Sequence, residues 1–214
     1  MTRLLHIVGS PRGERSRSLA IADHLIDRLE GVGVERLELW KTPLPELDGA
    51  MIESRYRLIH GFEIEPEFTP IWSELREMVD HLLRFDIWLF STPMWNFGLP
   101  YRVKHFVDCI IQPTMAFTND QAGNLTLHGS GRTAVLIGAG ALNIRPGSAL
   151  SHLDYQLAHL AHCLSFYFGV DPVHCVRVAP TFGTPEDVEE TMRQARAEVE
   201  ALAPSLQHFS GRPG

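Results

Sequence analysis

The chain has 214 residues, 44% of them hydrophobic. That is enough apolar material to bury a sizeable core and excludes a disordered protein. Lys and Arg number 19 against 26 Asp and Glu, a formal net charge of −7 with no Lys/Arg-rich block, so the chain is expected to be a poor binder of nucleic acid and of anionic membranes. No apolar run approaches the length of a transmembrane helix. Met1 to Gly9 lacks the small-residue cleavage pattern of a signal peptide and reads as a first strand. The three cysteines, Cys109, Cys163 and Cys175, form no CxxC pair and are read as small buried hydrophobes in a reduced, cytoplasmic compartment.

In chain order, Leu4–Val8 is a first strand bounded by Gly9-Ser10-Pro11. A helix is predicted from about Ser18 to Glu30, with Leu19, Ala22, Ile26 and Leu29 at helical spacing. Gly31 and Gly33 end it. Val34–Trp40 alternates as a half-buried strand. Residues 41–70, with Pro43, Pro45, Pro66 and Pro70 and several charges, read as an irregular surface excursion. Pro70–Arg84 is a helix with Thr69 as N-cap. Ile87–Phe90 is a continuous apolar run, as in a parallel strand covered on both faces. Helix Pro100–Gln112, strand Thr133–Gly138, helix Ser148–Phe168 with Ser148 as N-cap, strand Val173–Ala179 and helix Pro185–Gln207 complete the chain. Strands alternating with crossover-length helices predict an α/β fold: a doubly wound five-stranded parallel sheet, flavodoxin-like in order 2-1-3-4-5, forming one domain over residues 1–214.

In such a sheet the ligand site lies at the carboxyl ends of the strands. The loop after the first strand reads GSPRGERSRS. Serine hydroxyls and the positive N-terminus of the next helix suit a phosphate, which makes Ser10, Ser16, Arg17 and Ser18 candidates. Neither GxxxxGK[ST] nor GxGxxG occurs, so a nucleoside triphosphate or a dinucleotide fold is not expected. The loop after the third strand, STPMWNFGLP, puts Trp95 and Phe97 where they could flank a planar ring, with Asn96 able to donate and accept at its heteroatom edge.

These loops are similar to those of the FMN-dependent NADH-azoreductase/quinone reductase family, a flavodoxin-like group. The resemblance rests on PMWNFGLP followed by Lys104, Phe106 and Asp108, where the family has Pro-Met-Tyr/Trp-Asn-Phe and Lys-x-Phe/Tyr-x-Asp, and on Ser10 with Ser16-Arg17-Ser18. It implies FMN, with phosphate contacts from Ser10, Ser16, Arg17 and Ser18 and ring and ribityl contacts from Met94, Trp95, Asn96 and Phe97. Where the family often has Ser-Arg-Gly-Gly, this chain has Ala139-Gly140-Ala141-Leu142. A hydroxyl and a basic side chain are gone, while Gly140 permits close backbone approach, so Ala139, Gly140 and Ala141 are the expected contacts. The family's Thr-Phe pair with a following tyrosine is here Ala116-Phe117, then Thr118 and Asn119.

The resemblance also implies a two-electron oxidoreductase that takes NADH or NADPH as donor and a quinone or azo compound as acceptor, by a ping-pong mechanism. It implies a homodimer with the flavin where subunits meet. Helix 100–112, continuing into Met115-Ala116-Phe117, is read as apolar surface for that contact. No catalytic acid or base stands out. His152, His159 and His162 on one helical face, with His128 in a loop, have no HExxH or HxH spacing, so no metal is expected. No GxSxG surrounds Ser91, which argues against a hydrolase. The rival readings are a flavodoxin-like electron carrier or redox-sensing interaction protein, and an NAD(P)H:FMN or chromate reductase of the same fold.

Overall fold

The computed structural model describes residues 1–119 and 125–209. Five parallel strands form the central sheet: β1 (Arg3–Val8), β2 (Gly33–Glu38), β3 (Ile87–Pro93), β6 (Thr133–Ala139) and β7 (Val173–Val178). Their order is β2-β1-β3-β6-β7, the expected 2-1-3-4-5 arrangement. A separate antiparallel pair, β4 (Phe117–Asn119) and β5 (Leu125–Leu127), lies outside that sheet. The helices are α1 (Arg17–Ile26), α2 (Gly49–Ile59), α3 (Thr69–Leu82), α4 (Tyr101–Ile110), α5 (Leu157–Cys163), which runs on into a π-helical turn at Leu164–Phe168, and α6 (Pro185–Gln207).

The period of two along each strand divides the core into two layers. Leu5, Ile7, Trp88, Phe90, Ala134 and Leu136 face α3, α4 and α5. Leu4, Ile87, Leu89, Val135, Ile137, Val176 and Val178 face α1 and α6. Strands β3 and β6 are buried on both faces for six residues each, which is why their sequences do not alternate. Trp88 is fully buried, and its indole N–H finds Leu82 O at 3.1 Å. Truncating such an aromatic to Ala removes about 3–5 kcal/mol.

Several local expectations are corrected. Thr69 does not cap α3: a 3₁₀ turn at Pro66–Phe68 leads in, and Thr69 is already helical. Ser148 does not start a helix. Gly147 at φ 83° turns the chain there, and the Ser148 hydroxyl donates to Asn143 O at 2.9 Å. The regular helix begins nine residues later, at Leu157, where Asp154 Oδ1 accepts from the N–H groups of Gln156 and Leu157 at 3.2 and 3.0 Å. Residues 41–70 are not irregular throughout. They hold α2, capped by Asp48 accepting from Met51 N at 2.8 Å, and Met51 is buried at its base. Met115 and Ala116 are core residues, so that segment is not exposed apolar surface. Cys109 and Cys163 are buried as expected, whereas Cys175 is exposed.

Candidate active site

The first loop leaves β1 through Gly9. A Cβ on Gly9 would lie 2.5 Å from Val103 Cγ2 and 3.2 Å from Thr92 Oγ1, so glycine alone lets β1 pass beneath α4. Gly9 N–H donates to Ser91 O at 2.8 Å, which ties this exit to β3. Ser16 then caps α1, accepting from Leu19 N at 3.3 Å. That leaves the first-turn N–H groups of Arg17 and Ser18 without acceptors in their own helix. The Ser16 and Ser18 hydroxyl oxygens lie 3.2 Å apart, both buried. Ser10 is buried too, its hydroxyl accepting from Arg12 N at 3.3 Å. Arg17 differs: it is exposed and borders a surface cleft with Thr181, Phe182 and Glu189. Ser16 and Ser18 thus meet at the start of α1, with Ser10 buried in the loop before it, while Arg17 is exposed at the neighbouring cleft.

The second loop is a tight turn. Trp95 and Gly98 exchange backbone hydrogen bonds at 3.1 and 2.9 Å, with Asn96 at φ 48° and Phe97 at φ 65°. Positive φ at both central residues is the pattern of a type I′ turn. Asn tolerates it, but for a bulky Phe it is strained, a cost that tends to persist at functional sites. The turn lifts Trp95, Asn96 and Phe97 into solvent, with Trp95 40% and Phe97 39% exposed.

Trp95 does not stand alone. Its ring lies 5.7 Å from that of Trp40 and 6.3 Å from that of Tyr101, and Trp40 and Tyr101 meet edge to face at 5.3 Å. Trp40 is anchored by its indole N–H on Gly9 O at 3.0 Å. Sequence reasoning missed Trp40 and Tyr101. The available signal was a large aromatic at the carboxyl end of the second strand and another at the first turn of the helix after the ring loop.

The third loop meets the second directly. Met94 N–H donates to Ala139 O at 2.6 Å, and the Met94 side chain lies beside Gly140. Gly140 O accepts from both the N–H and the hydroxyl of Thr181 at 2.9 and 3.0 Å, so the segment after β7 also joins this edge. Ala139 is half-buried, Gly140 buried and Ala141 exposed. A cavity of about 260 Å³ opens beside the first loop, lined by Ser10, Pro11, Gly13, Leu19 and Trp40 among others. A more apolar cavity of about 310 Å³, between α3 and Thr42–Pro45, lies away from these loops.

Under the site, fully buried His6 on β1 places Nε2 2.8 Å from Ser91 Oγ on β3, and its Nδ1 has no partner. Burial, helped by the charge of Arg36, lowers its pKa to about 3, so the ring is neutral. Among the described residues no group of three His, Cys, Asp or Glu is placed to hold a metal ion. His152 lies in a 3₁₀ turn, apart from His159 and His162 on α5. No helix among the described residues is long and apolar enough to cross a membrane.

A parallel sheet in this order, with its glycine-, serine- and aromatic-rich loops at one edge, defines a flavodoxin-like protein. The flavodoxin-like fold family matches residues 2–203. The chain belongs to that family, in the branch of the FMN-dependent NADH:quinone oxidoreductases. It is 33% identical over 210 residues to a protein of that name from Desulfotalea psychrophila, across 96% of this chain and 98% of the relative. It is 31% identical over 208 residues to FMN-dependent NADH:quinone oxidoreductase 2 of Pseudomonas syringae pv. tomato, across 95% and 99%. Its fold is similar to that of an FMN-dependent NADH-azoreductase from Bacillus anthracis solved in complex with FMN, with TM-score 0.81, 20% identity and coverage of 97% and 100%.

Proposed function

We propose that this protein is an FMN-dependent oxidoreductase carrying two electrons from NADH or NADPH to quinones or azo compounds by a ping-pong mechanism. The observation that carries the reading is the convergence of two structures on one sheet edge. One is a serine-lined helix N-terminus with two N–H groups lacking helical acceptors. The other is the raised Trp95–Gly98 turn.

The residues present fit FMN. A phosphate needs donors without acceptors, and the start of α1 offers them. A flat ring needs apolar surface beside polar donors with little backbone bulk, and Trp95, Asn96 and Gly140 offer that. FMN, when bound, supplies the electron chemistry itself. The chain binds and orients it. Ser10, Ser16 and Ser18 with the N–H groups of α1 hold the phosphate, and Met94–Phe97 with Ala139–Ala141 hold the ring. Main-chain N–H groups of the turn favour negative charge at the ring edge. No side chain of these loops is required as an acid or base.

The assembly proposed is a two-fold homodimer. Exposed aromatics, Tyr101 at 68%, Tyr155 at 61% and Phe166 at 57%, supply apolar surface for it in place of the buried Met115-Ala116 segment. The free cysteines fit a reducing, cytoplasmic setting. Steady-state oxidation of NADH by the FMN-reconstituted protein, with a benzoquinone as acceptor, tests the activity. Turnover with parallel double-reciprocal lines is expected. No turnover with either nicotinamide would defeat the reading, and intersecting lines would remove its ping-pong part.

A further inference from the structure

Where β3 ends, one side chain reaches the carbonyl oxygens of both Thr92 and Pro93. Gln156 Nε2 donates to Pro93 O at 2.5 Å and lies 3.4 Å from Thr92 O. Gln156 is completely buried just ahead of α5. Its Oε1 accepts from Arg177 Nη1 at 2.6 Å, and Arg177, on β7, is 4% exposed. The guanidinium is ion-paired through Nη2 with Asp154, whose other oxygen caps α5 on the N–H groups of Gln156 and Leu157. The network therefore closes on itself: Asp154, Arg177, Gln156, and back to Asp154 through the main chain.

Space for it is cleared by Gly138 on β6. A Cβ there would come within 2.8 Å of Gln156 Oε1 and would strike the Arg177 guanidinium. An arginine buried this deeply is costly even when paired, and its Nε has no partner. A staple for the fold alone would be better made from apolar side chains.

The end of the network lies next to the ring loop. Pro93 O and Met94 N–H belong to one peptide unit. Gln156 holds its oxygen at 2.5 Å, the Thr92 hydroxyl donates to the same oxygen at 3.2 Å, and Ala139 O holds its N–H at 2.6 Å. The plane from which the Trp95–Gly98 turn springs is thus clamped at both ends. We propose that Gln156, set by Arg177 and Asp154, is a positioning residue for the flavin reaction: it fixes the Pro93–Met94 peptide plane and so aims the N–H groups of the Trp95–Gly98 turn. The flavin part rests on the function proposed above; the effect on the turn does not.

Two variants and two readouts test it. Gln156→Met removes both hydrogen bonds at similar length. Gln156→Glu keeps the Arg177 contact and removes only the donor to Pro93. In the flavin-free protein, amide hydrogen exchange at the hydrogen-bonded N–H groups of Met94, Trp95 and Gly98 should rise about tenfold or more in both variants, while β1 and α6 exchange as in the parent. In the FMN-loaded protein the Kd for FMN should rise about tenfold and the flavin midpoint potential should move from the parent value. Folded variants with parent-like exchange at Met94, Trp95 and Gly98 overturn the proposal, and so does an unmoved potential. Failure of both variants to fold also overturns it, because Gln156 is then required by the core rather than by the loop. If the parent itself binds no FMN, the functional reading fails and the exchange data alone decide the positioning of the turn.

Discussion

The N–H of Met94 donates to the carbonyl of Ala139 at 2.6 Å, joining the loop after β3 to the loop after β6. The contact continues the ladder of β3 and β6, in which Pro93 pairs with Ala139, one step past the carboxyl edge of the sheet. In the proposed function, this is what the third loop, with Ala139-Gly140-Ala141-Leu142 in place of Ser-Arg-Gly-Gly, would bring to the flavin site. What it contributes is a main-chain anchor, which Ala139 provides as well as serine would. Side chains at Ala139 and Ala141 are dispensable for that role.

Ser18 is the cleaner probe of the phosphate cradle, because Ser16 also caps α1. Ser18→Ala leaves the cap intact and removes one hydroxyl from the buried Ser16–Ser18 pair. A hydrogen bond to a charged group is worth about 1.5–3 kcal/mol, so the FMN Kd should rise about tenfold or more, with about 1 kcal/mol of stability lost from the buried hydroxyl pair. Ser16→Ala should weaken FMN similarly and also cost about 1 kcal/mol of stability through the lost cap. Calorimetric titration of both variants checks this, and parent-like affinity in Ser18→Ala would restrict the serines to a structural role.

Asn96 sits at φ 48°, so its replacements separate conformation from chemistry. Asn96→Gly keeps the turn and deletes the amide. It should lower the flavin midpoint potential and slow reduction by NADH without loss of stability, since a donor to the reduced ring is gone. Asn96→Leu should do the same and add about 1–2 kcal/mol of left-handed strain. Spectroelectrochemistry with thermal melts distinguishes the two, and a parent-like potential in Asn96→Gly would make the residue a turn former only.

The buried His6 makes stability depend on pH. Its pKa falls from 6.5 to about 3, first through burial and then through the charge of Arg36. Below pH 6.5 the unfolded chain takes up a proton that the folded chain refuses. Stability is therefore lost as pH falls from 6.5 toward 3, by about 1.4 kcal/mol per pH unit, and this group is silent above that window. His159 and His174, also lowered by burial, act with the same sign. Denaturant melts of His6→Leu should show a shallower slope by that amount above the carboxylate range. An identical slope would mean that His6 is protonated in the fold.

The two-fold assembly predicts that light scattering of the flavin-loaded protein at micromolar concentration gives twice the chain mass. Phe166→Glu, placing a charge at an aromatic 57% exposed in the single chain, should weaken that association. An active, flavin-bound monomer would contradict the dimer and leave the cradle and turn untouched.

The sheet was legible because its strands are two-sided: runs such as Ile87–Phe90 and Thr133–Gly138 admit no helical stripe and no solvent face. The serine-lined start of α1 was legible for a local reason, since a helix cap needs a hydroxyl at the helix start, and Ser16 supplies it. The late start of α5 was not, because Ser148 is spent on a turn and the capping Asp154 lies inside the expected helix. The Trp40–Trp95–Tyr101 cluster and the Gln156–Arg177–Asp154 network escaped for another reason. Each depends on a residue that only the sheet order brings in, Trp40 from the end of β2 and Arg177 from β7, and nothing in the spacing along the chain announces those contacts.

FMN-dependent electron transfer is decided by the visible spectrum of the protein reconstituted with FMN, recorded without oxygen before and after addition of NADH, with the ligand then released by heat and weighed. The expected result is a bound flavin of FMN mass whose absorption bleaches on addition of the nicotinamide and returns on addition of a quinone. A protein that retains no flavin, retains FAD instead, or holds FMN that neither NADH nor NADPH reduces would contradict it.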